Sequence, residues 1–414
     1  MRWPWGFIGM KQDKILEPFE QISPELWLML ASAGGDINKA QNLLQQPINW
    51  DWLLQLTVHH RVFPLVYKTL SQLNNPTIPK HVLDLLQQKC WKNAILAVNM
   101  AQETTRITQC LESHGILAIV LKGAPLAWRL YGDITIRPSS DIDIIVPFDE
   151  LEKAIGVLES EGYTEAKNLD LTSSQLKIYL KTIRRNRHNM PFRHNKTNIY
   201  LELHWKFGYG GFHSLFKPTE NIVRNIELEE NFIPVLPDEE WLFYLMFHGA
   251  KHGWTYLRWL VDIAKFTQQK GIDWNKISLL ASNYGLEPVL HQSLFLANRL
   301  LATPIPPIVS SQVNNDRAAW RLACAAMDLC LSTADYEIMG KDKHRLNYIR
   351  NNYFTLLWPG WKIRNKFEPF NPTIYEIKFI SLPNRLYALY YFIRPCYWVW
   401  RRLRRKHKKS RTNA

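Results

Sequence analysis

Two hydrophobic periods divide the chain. From Pro24 to Glu112 apolar residues recur at helical spacing, in runs such as Trp52-Leu53-Leu54-Gln55-Leu56 and Val82-Leu83-Asp84-Leu85-Leu86, with no strand signal. The period then changes. Gly115 to Leu121 is a short apolar run suited to a buried strand, and in Asp141 to Val146 the apolar Ile142, Ile144 and Val146 alternate with Asp141 and Asp143. From Ile199 to Phe207 the alternation places Ile199, Leu201, Leu203, Trp205 and Phe207 on one face and Tyr200, Glu202, His204 and Lys206 on the other. His194 to Asn198 has turn composition, so Met190 to His194 is expected to pair antiparallel with the Glu202 strand. Pro237-Asp238-Glu239-Glu240 opens a helix, and helical spacing continues to about Leu301.

These periods predict an α+β protein, a small mixed-sheet core flanked by N-terminal and C-terminal helical regions. Its expected divisions are a helical region over 1–112, the sheet-bearing core over 113–235, a second helical region over 236–345 and an aromatic and basic segment over 346–414. No repeat or low-complexity tract interrupts them.

The chemistry gathers in the core. Asp141 and Asp143 are two apart on a strand and share a face, where carboxylates repel unless they share a proton or a divalent cation. No basic residue alternates with them in that strand. Glu202 lies on the polar side of its own strand, and pairing of the two strands would complete a three-carboxylate site for two Mg²⁺ ions about 3.5–4 Å apart. Upstream, Pro125 sits in the expected first turn of a helix over Leu126 to Tyr131, which places Lys122, Gly123 and Ala124 at its N-terminus. Backbone N–H groups and the helix dipole there favour phosphate, and Gly123 permits close approach. Asp149 and Glu152 have capping-box spacing for a helix ending before Gly162.

Leu121-Lys122-Gly123-Ala124, Tyr131-Gly132-Asp133, Arg137-Pro138-Ser139-Ser140-Asp141-Ile142-Asp143 and Glu202-Leu203-His204-Trp205 together resemble a bacterial family of uncharacterised nucleotidyltransferases within the DNA polymerase beta-like superfamily. The likeness covers Gly115 to Phe207, with a weaker echo over Leu236 to Phe266. Ala124 stands where the superfamily usually has Ser, Glu202 where Asp is commoner, and the segment from Gly123 to Asp141 is long. The resemblance implies a nucleotidyltransferase core using Mg²⁺, or Mn²⁺, to move a nucleoside monophosphate from a triphosphate such as ATP to a hydroxyl acceptor, releasing pyrophosphate. It assigns Asp141, Asp143 and Glu202 as catalytic metal ligands, and Lys122, Gly123, Ala124, Arg137 and Ser140 as the nucleotide-binding group. Arg137 would be the better bidentate phosphate donor, although an Arg before Pro138 is also a common loop residue. A catalytically silent nucleotide-binding or regulatory module remains the alternative, as does an adaptor built on the basic C-terminus.

Composition changes the picture only at the end of the chain. A 414-residue chain that is 46% hydrophobic can bury a sizeable core. Of the formal +14, Arg401, Arg402, Arg404, Arg405, Lys406, Lys408, Lys409 and Arg411 supply +8 without an intervening acid. They follow an aromatic block, Leu386 to Trp400, broken by Arg394 and Pro395. Aromatic residues in one block followed by cations suit an anionic membrane surface better than RNA, while a solvated tail is the bland alternative. Five cysteines without zinc spacing fit a reducing cytoplasm, and neither a signal peptide nor a bilayer-spanning run is apparent. The expected location is therefore cytoplasmic, with peripheral attachment at the inner membrane face through the tail. His248 and His252, four apart on a helix, could share a metal, but aromatic packing is the stronger reading; Arg258 and Asp262 have ion-pair spacing.

Overall fold

A computed structural model describes residues 17–412 except 21, 167–170, 209–217, 229 and 359–369. The fold is α+β. The N-terminal helical prediction holds: α1 (Glu17–Glu20), α2 (Pro24–Gly34), α3 (Ile37–Leu43), α4 (Trp50–His59), α5 (Phe63–Leu73) and α6 (Lys80–Ser113) precede any strand. Side-chain caps set several starts: Ser23, Asp36 and Asn49 accept from backbone N–H groups of α2, α3 and α4 respectively. Gly115 closes α6 at φ +68°, a left-handed conformation that favours glycine.

The predicted strand over Gly115 to Leu121 is shorter than its apolar run. Only Ile119–Val120 is strand (β1), although Ile116 and Ala118 to Leu121 are all buried. There follow α7 (Ala124–Tyr131), β2 (Asp141–Ile145), α8 (Leu151–Ser160), β3 (Tyr163–Glu165), α9 (Ser173–Asn186), β4 (Asn189–His194), β5 (Tyr200–His204), β6 (Arg224–Leu228) and β7 (Asn231–Val235). The Asp149/Glu152 capping box does not form. Pro147 instead opens a 3₁₀ turn, closed by Glu150 N–H donating to the Pro147 carbonyl, and this turn runs directly into α8.

Beyond the strands lie α10 (Asp238–Lys251), α11 (Arg258–Thr267), α12 (Trp274–Tyr284), α13 (Glu287–Leu301), α14 (Pro307–Asn315), α15 (Arg317–Met339) and α16 (Lys343–Leu357), then a short helix Ile374–Phe379 and a C-terminal helix Leu389–Thr412. The predicted start of α10 at Asp238 is observed, with Asp238, Glu239 and Glu240 at its positive end. No described helix is long and apolar enough to cross a membrane. All five cysteines are free thiols.

The chain forms two compact units interleaved in sequence. The first contains 17–106, 120–140 and 222–358, and the second 107–119, 141–221 and 370–412. In the first, Val120 pairs parallel with Val235, and β6 and β7 form an antiparallel pair. Helices α10 and α13, buried on nearly every side, carry much of its core. In the second, the strand order is β3-β4-β5-β2: β2 and β5 are parallel, and β4 runs antiparallel to its neighbours on both sides. The expected antiparallel partner of the Glu202 strand is thus present. Its turn closes where composition placed it, with Asn198 at φ +60° and its N–H donating to the His194 carbonyl.

Candidate metal and nucleotide site

The register of β2 against β5 creates the site. Asp143 lies directly opposite Glu202, Asp141 opposite Tyr200, and Ile145 opposite His204. The intervening Ile142, Ile144, Leu201 and Leu203 are buried on the other face, where their loss from water holds the two strands in place. Asp143, Glu202 and His204 consequently present ligand atoms that all lie within 4.8 Å of one another. His204 Nε2 is 3.1 Å from an Asp143 oxygen and 3.3 Å from a Glu202 oxygen. Glu202 also accepts from Asn189 Nδ2 at 2.5 Å.

Burial differs sharply within this group. The side chains of Asp143 and His204 are 1% and 4% exposed, whereas Glu202 is 35% exposed and faces water. Burial disfavours a charged His204, but its bonds to Asp143 and Glu202 outweigh that penalty and raise its pKa above the ordinary imidazole value. The imidazole thus lies between the two carboxylates, bonded to both. Sequence reasoning placed His204 on the polar face beside Glu202 without giving it a role. The signal was the Glu-x-His spacing itself, which puts both side chains on one face of a strand.

Asp141 begins β2 on the same face, half-buried, and the converging group consists of Asp143, Glu202 and His204 rather than three carboxylates. Two carboxylates and an imidazole suit a divalent cation that accepts mixed oxygen and nitrogen donors. Mn²⁺ tolerates such a set readily, and Mg²⁺ prefers the oxygens.

The predicted nucleotide-binding residues all lie in the first unit, which hands the chain to the second between Ser140 and Asp141. Gly123 precedes the first residue of α7 at φ +86°, so the turn requires glycine, and Pro125 stands in the first turn as expected. The Trp241 indole donates to the Leu121 carbonyl at 2.7 Å and anchors the backbone just before Lys122. Lys122 is only 7% exposed. Ser140 accepts from Arg61 at 3.2 Å.

Arg137 has a stronger attachment than its loop position suggests. Its Nε lies 3.1 and 3.0 Å from the two Asp262 oxygens and its Nη2 is 2.8 Å from one of them, with both side chains almost completely buried. Tyr131 donates to the same carboxylate at 3.0 Å. Arg258 donates to the Pro138 carbonyl, so the Arg258/Asp262 helix turn braces the Arg137-Pro138 loop from two sides.

His248 and His252 pack as aromatics. Their ring centroids are 4.7 Å apart, and Trp259 meets them at 5.2 and 5.3 Å. Burial first, then the charges of Lys251, His252, Lys122 and Arg258, holds His248 well below the ordinary imidazole pKa. Among the described residues, only Asp143, Glu202 and His204 form a group that could hold a metal.

The model of a family described as uncharacterised nucleotidyltransferase matches residues 46–302, more than half of the chain. The chain belongs to that family. The match spans both compact units and includes every residue of the site. No curated protein matches the chain.

Proposed function

We propose that this nucleotidyltransferase is a divalent-metal-dependent enzyme of the DNA polymerase beta-like type, moving a nucleoside monophosphate from a nucleoside triphosphate such as ATP to a hydroxyl acceptor. The convergence of Asp143, Glu202 and His204 on facing strands carries this reading. The acceptor oxygen bonds to the α-phosphorus, the bond to the β-phosphate oxygen breaks, and pyrophosphate leaves. A bound Mg²⁺ or Mn²⁺ would neutralise triphosphate charge and lower the pKa of the acceptor hydroxyl. Asp143 and Glu202 would hold it, with Asp141 available from the same face of β2. Glu202, open to water, is suited to pass the acceptor's proton to solvent. The Gly123 turn offers backbone N–H groups to phosphate at the start of α7, and Lys122 adds a buried cation to the field around His248. Arg137 and Ser140 complete the proposed nucleotide-binding group, Arg137 through the loop that Asp262 fixes.

Release of pyrophosphate from each nucleoside triphosphate, with Mg²⁺ or Mn²⁺ and an acceptor library, tests this reading against the silent nucleotide-binding module, which releases none. A second measurement needs no acceptor. His204→Ala is expected to weaken Mn²⁺ binding by about 10–100-fold in calorimetric titration, the effect of removing a group that orients carboxylate ligands. Unchanged affinity would place His204 outside the metal site.

We further propose that the C-terminus attaches the protein to an anionic membrane surface at the cytoplasmic face. In the helix Leu389–Thr412, Leu389, Phe392, Ile393, Cys396, Tyr397 and Trp400 follow helical spacing and line one apolar groove, and Phe392 is 73% exposed. The eight Lys and Arg residues follow directly, so apolar and cationic contributions come from consecutive turns. Binding to phosphatidylglycerol-containing vesicles should fall as salt rises, because screening shortens electrostatic reach to about 8 Å at physiological ionic strength. Equal sedimentation of full-length protein and a chain truncated before Arg401 would reject this attachment, and salt-sensitive binding to RNA in its place would favour the adaptor reading.

A further inference from the structure

A second concave surface lies wholly within the first unit, at the end of the Arg137-Pro138-Ser139-Ser140 motif. The groove measures about 430 Å³ and is bounded by the end of α4, the start of α5, one face of α6 and residues 138–140. Its walls are chemically divided. Val58, Phe63, Leu96 and Pro138 supply apolar surface, while Arg61, Lys89 and Lys92 supply three cations, and no acidic residue lines it.

Each cation has a defined placement. Lys89, Lys92 and Leu96 lie at i, i+3 and i+7 of α6, so two like charges share one helical face with an apolar neighbour. Like charges at that spacing disfavour each other unless an anion lies between them. Arg61 follows α4 at φ +57°, a conformation uncommon for a side-chain-bearing residue. It stacks over Tyr256 at 4.7 Å and donates to Ser140 at 3.2 Å, so its guanidinium is held in place along the groove. Asn93, a buried lining residue, donates to the Thr135 carbonyl at 2.5 Å and fixes the approach to the same motif.

We infer that this groove binds a small amphipathic molecule carrying a phosphate ester. Three cations without a lining acid match an anionic group, and the apolar wall matches a hydrocarbon or ring portion of the same molecule.

Hexyl phosphate is a suitable probe, with inorganic phosphate and hexanol as separate arms, titrated into the full chain by NMR or calorimetry without nucleotide. Hexyl phosphate is expected to bind about tenfold or more tighter than either fragment, and Lys89→Glu/Lys92→Glu to lower that affinity about tenfold or more. Lys89→Arg/Lys92→Arg should restore it. Both lysines are exposed, so the variants should keep the parent circular-dichroism spectrum and melting temperature. Equal affinity for hexyl and inorganic phosphate, indifference to the charge reversal, or displacement of the probe by single-stranded RNA at lower concentration would overturn the inference.

Discussion

Asp143→Asn should abolish nucleotide transfer while leaving the fold intact. Asp143 is buried opposite Glu202 and bonded to His204, so the change removes a negative charge at the centre of the group while keeping an oxygen for the imidazole. Loss of metal charge stabilisation at a phosphoryl centre is worth several kcal/mol, and at about 1.4 kcal/mol per decade the expected fall in kcat/KM is roughly 10³-fold or more. Melting temperature should fall only modestly, since the amide keeps an oxygen for His204 while the imidazole retains Glu202 as its charged partner. Asp141→Asn is expected to reduce transfer as well, through its place on the same face of β2. A variant that turns over normally would sink the assignment. A large loss of melting temperature with no metal present would mark Asp143 as structural.

The second large effect concerns stability. Asp262→Ala strips the buried Arg137 guanidinium of its carboxylate and leaves the Tyr131 hydroxyl without its acceptor. Breaking a buried pair from one side costs about 3–5 kcal/mol, because the remaining charge stays in a low-dielectric interior. Denaturant unfolding of the parent and the variant measures this directly, and a change below about 1 kcal/mol, the range of an exposed pair, would contradict the burial of the contact. Arg137→Lys separates two roles. A positioning role through Asp262 predicts a stability loss, since Lys cannot reproduce the planar fork, whereas a triphosphate clamp predicts a raised KM for the nucleotide on a stable fold.

Much of the site was legible from local patterns because strand periodicity is a property of the covalent chain. Alternation alone placed Asp143 and Glu202 on one face, with Ile142, Ile144, Leu201 and Leu203 behind them, and the observed register agrees, although Asp143 is itself as buried as the isoleucines. Gly123 before Pro125 identified the turn opening α7 for the same reason, since a left-handed conformation and a fixed φ are local requirements. Asp149 and Glu152 show where local spacing misleads: the box pattern is present, but the 3₁₀ turn after Pro147 satisfies the backbone by another route.

By itself the sequence determined the α+β class, the helical N-terminal region, the antiparallel β4–β5 pair and the carboxylate-bearing faces, each of which follows from spacing within a few residues. The tertiary structure alone decided which groups meet. His204 reaches Asp143 across 61 residues only because β2 and β5 pair in parallel, with Asp143 opposite Glu202. Arg137 finds Asp262 across 125 residues. Such contacts depend on the burial of distant apolar faces against one another and, for His204, on register: a slip of a single residue in β5 would turn Glu202 and His204 to the face opposite Asp143. Local spacing can state what a strand offers on each side, but only packing selects the partner.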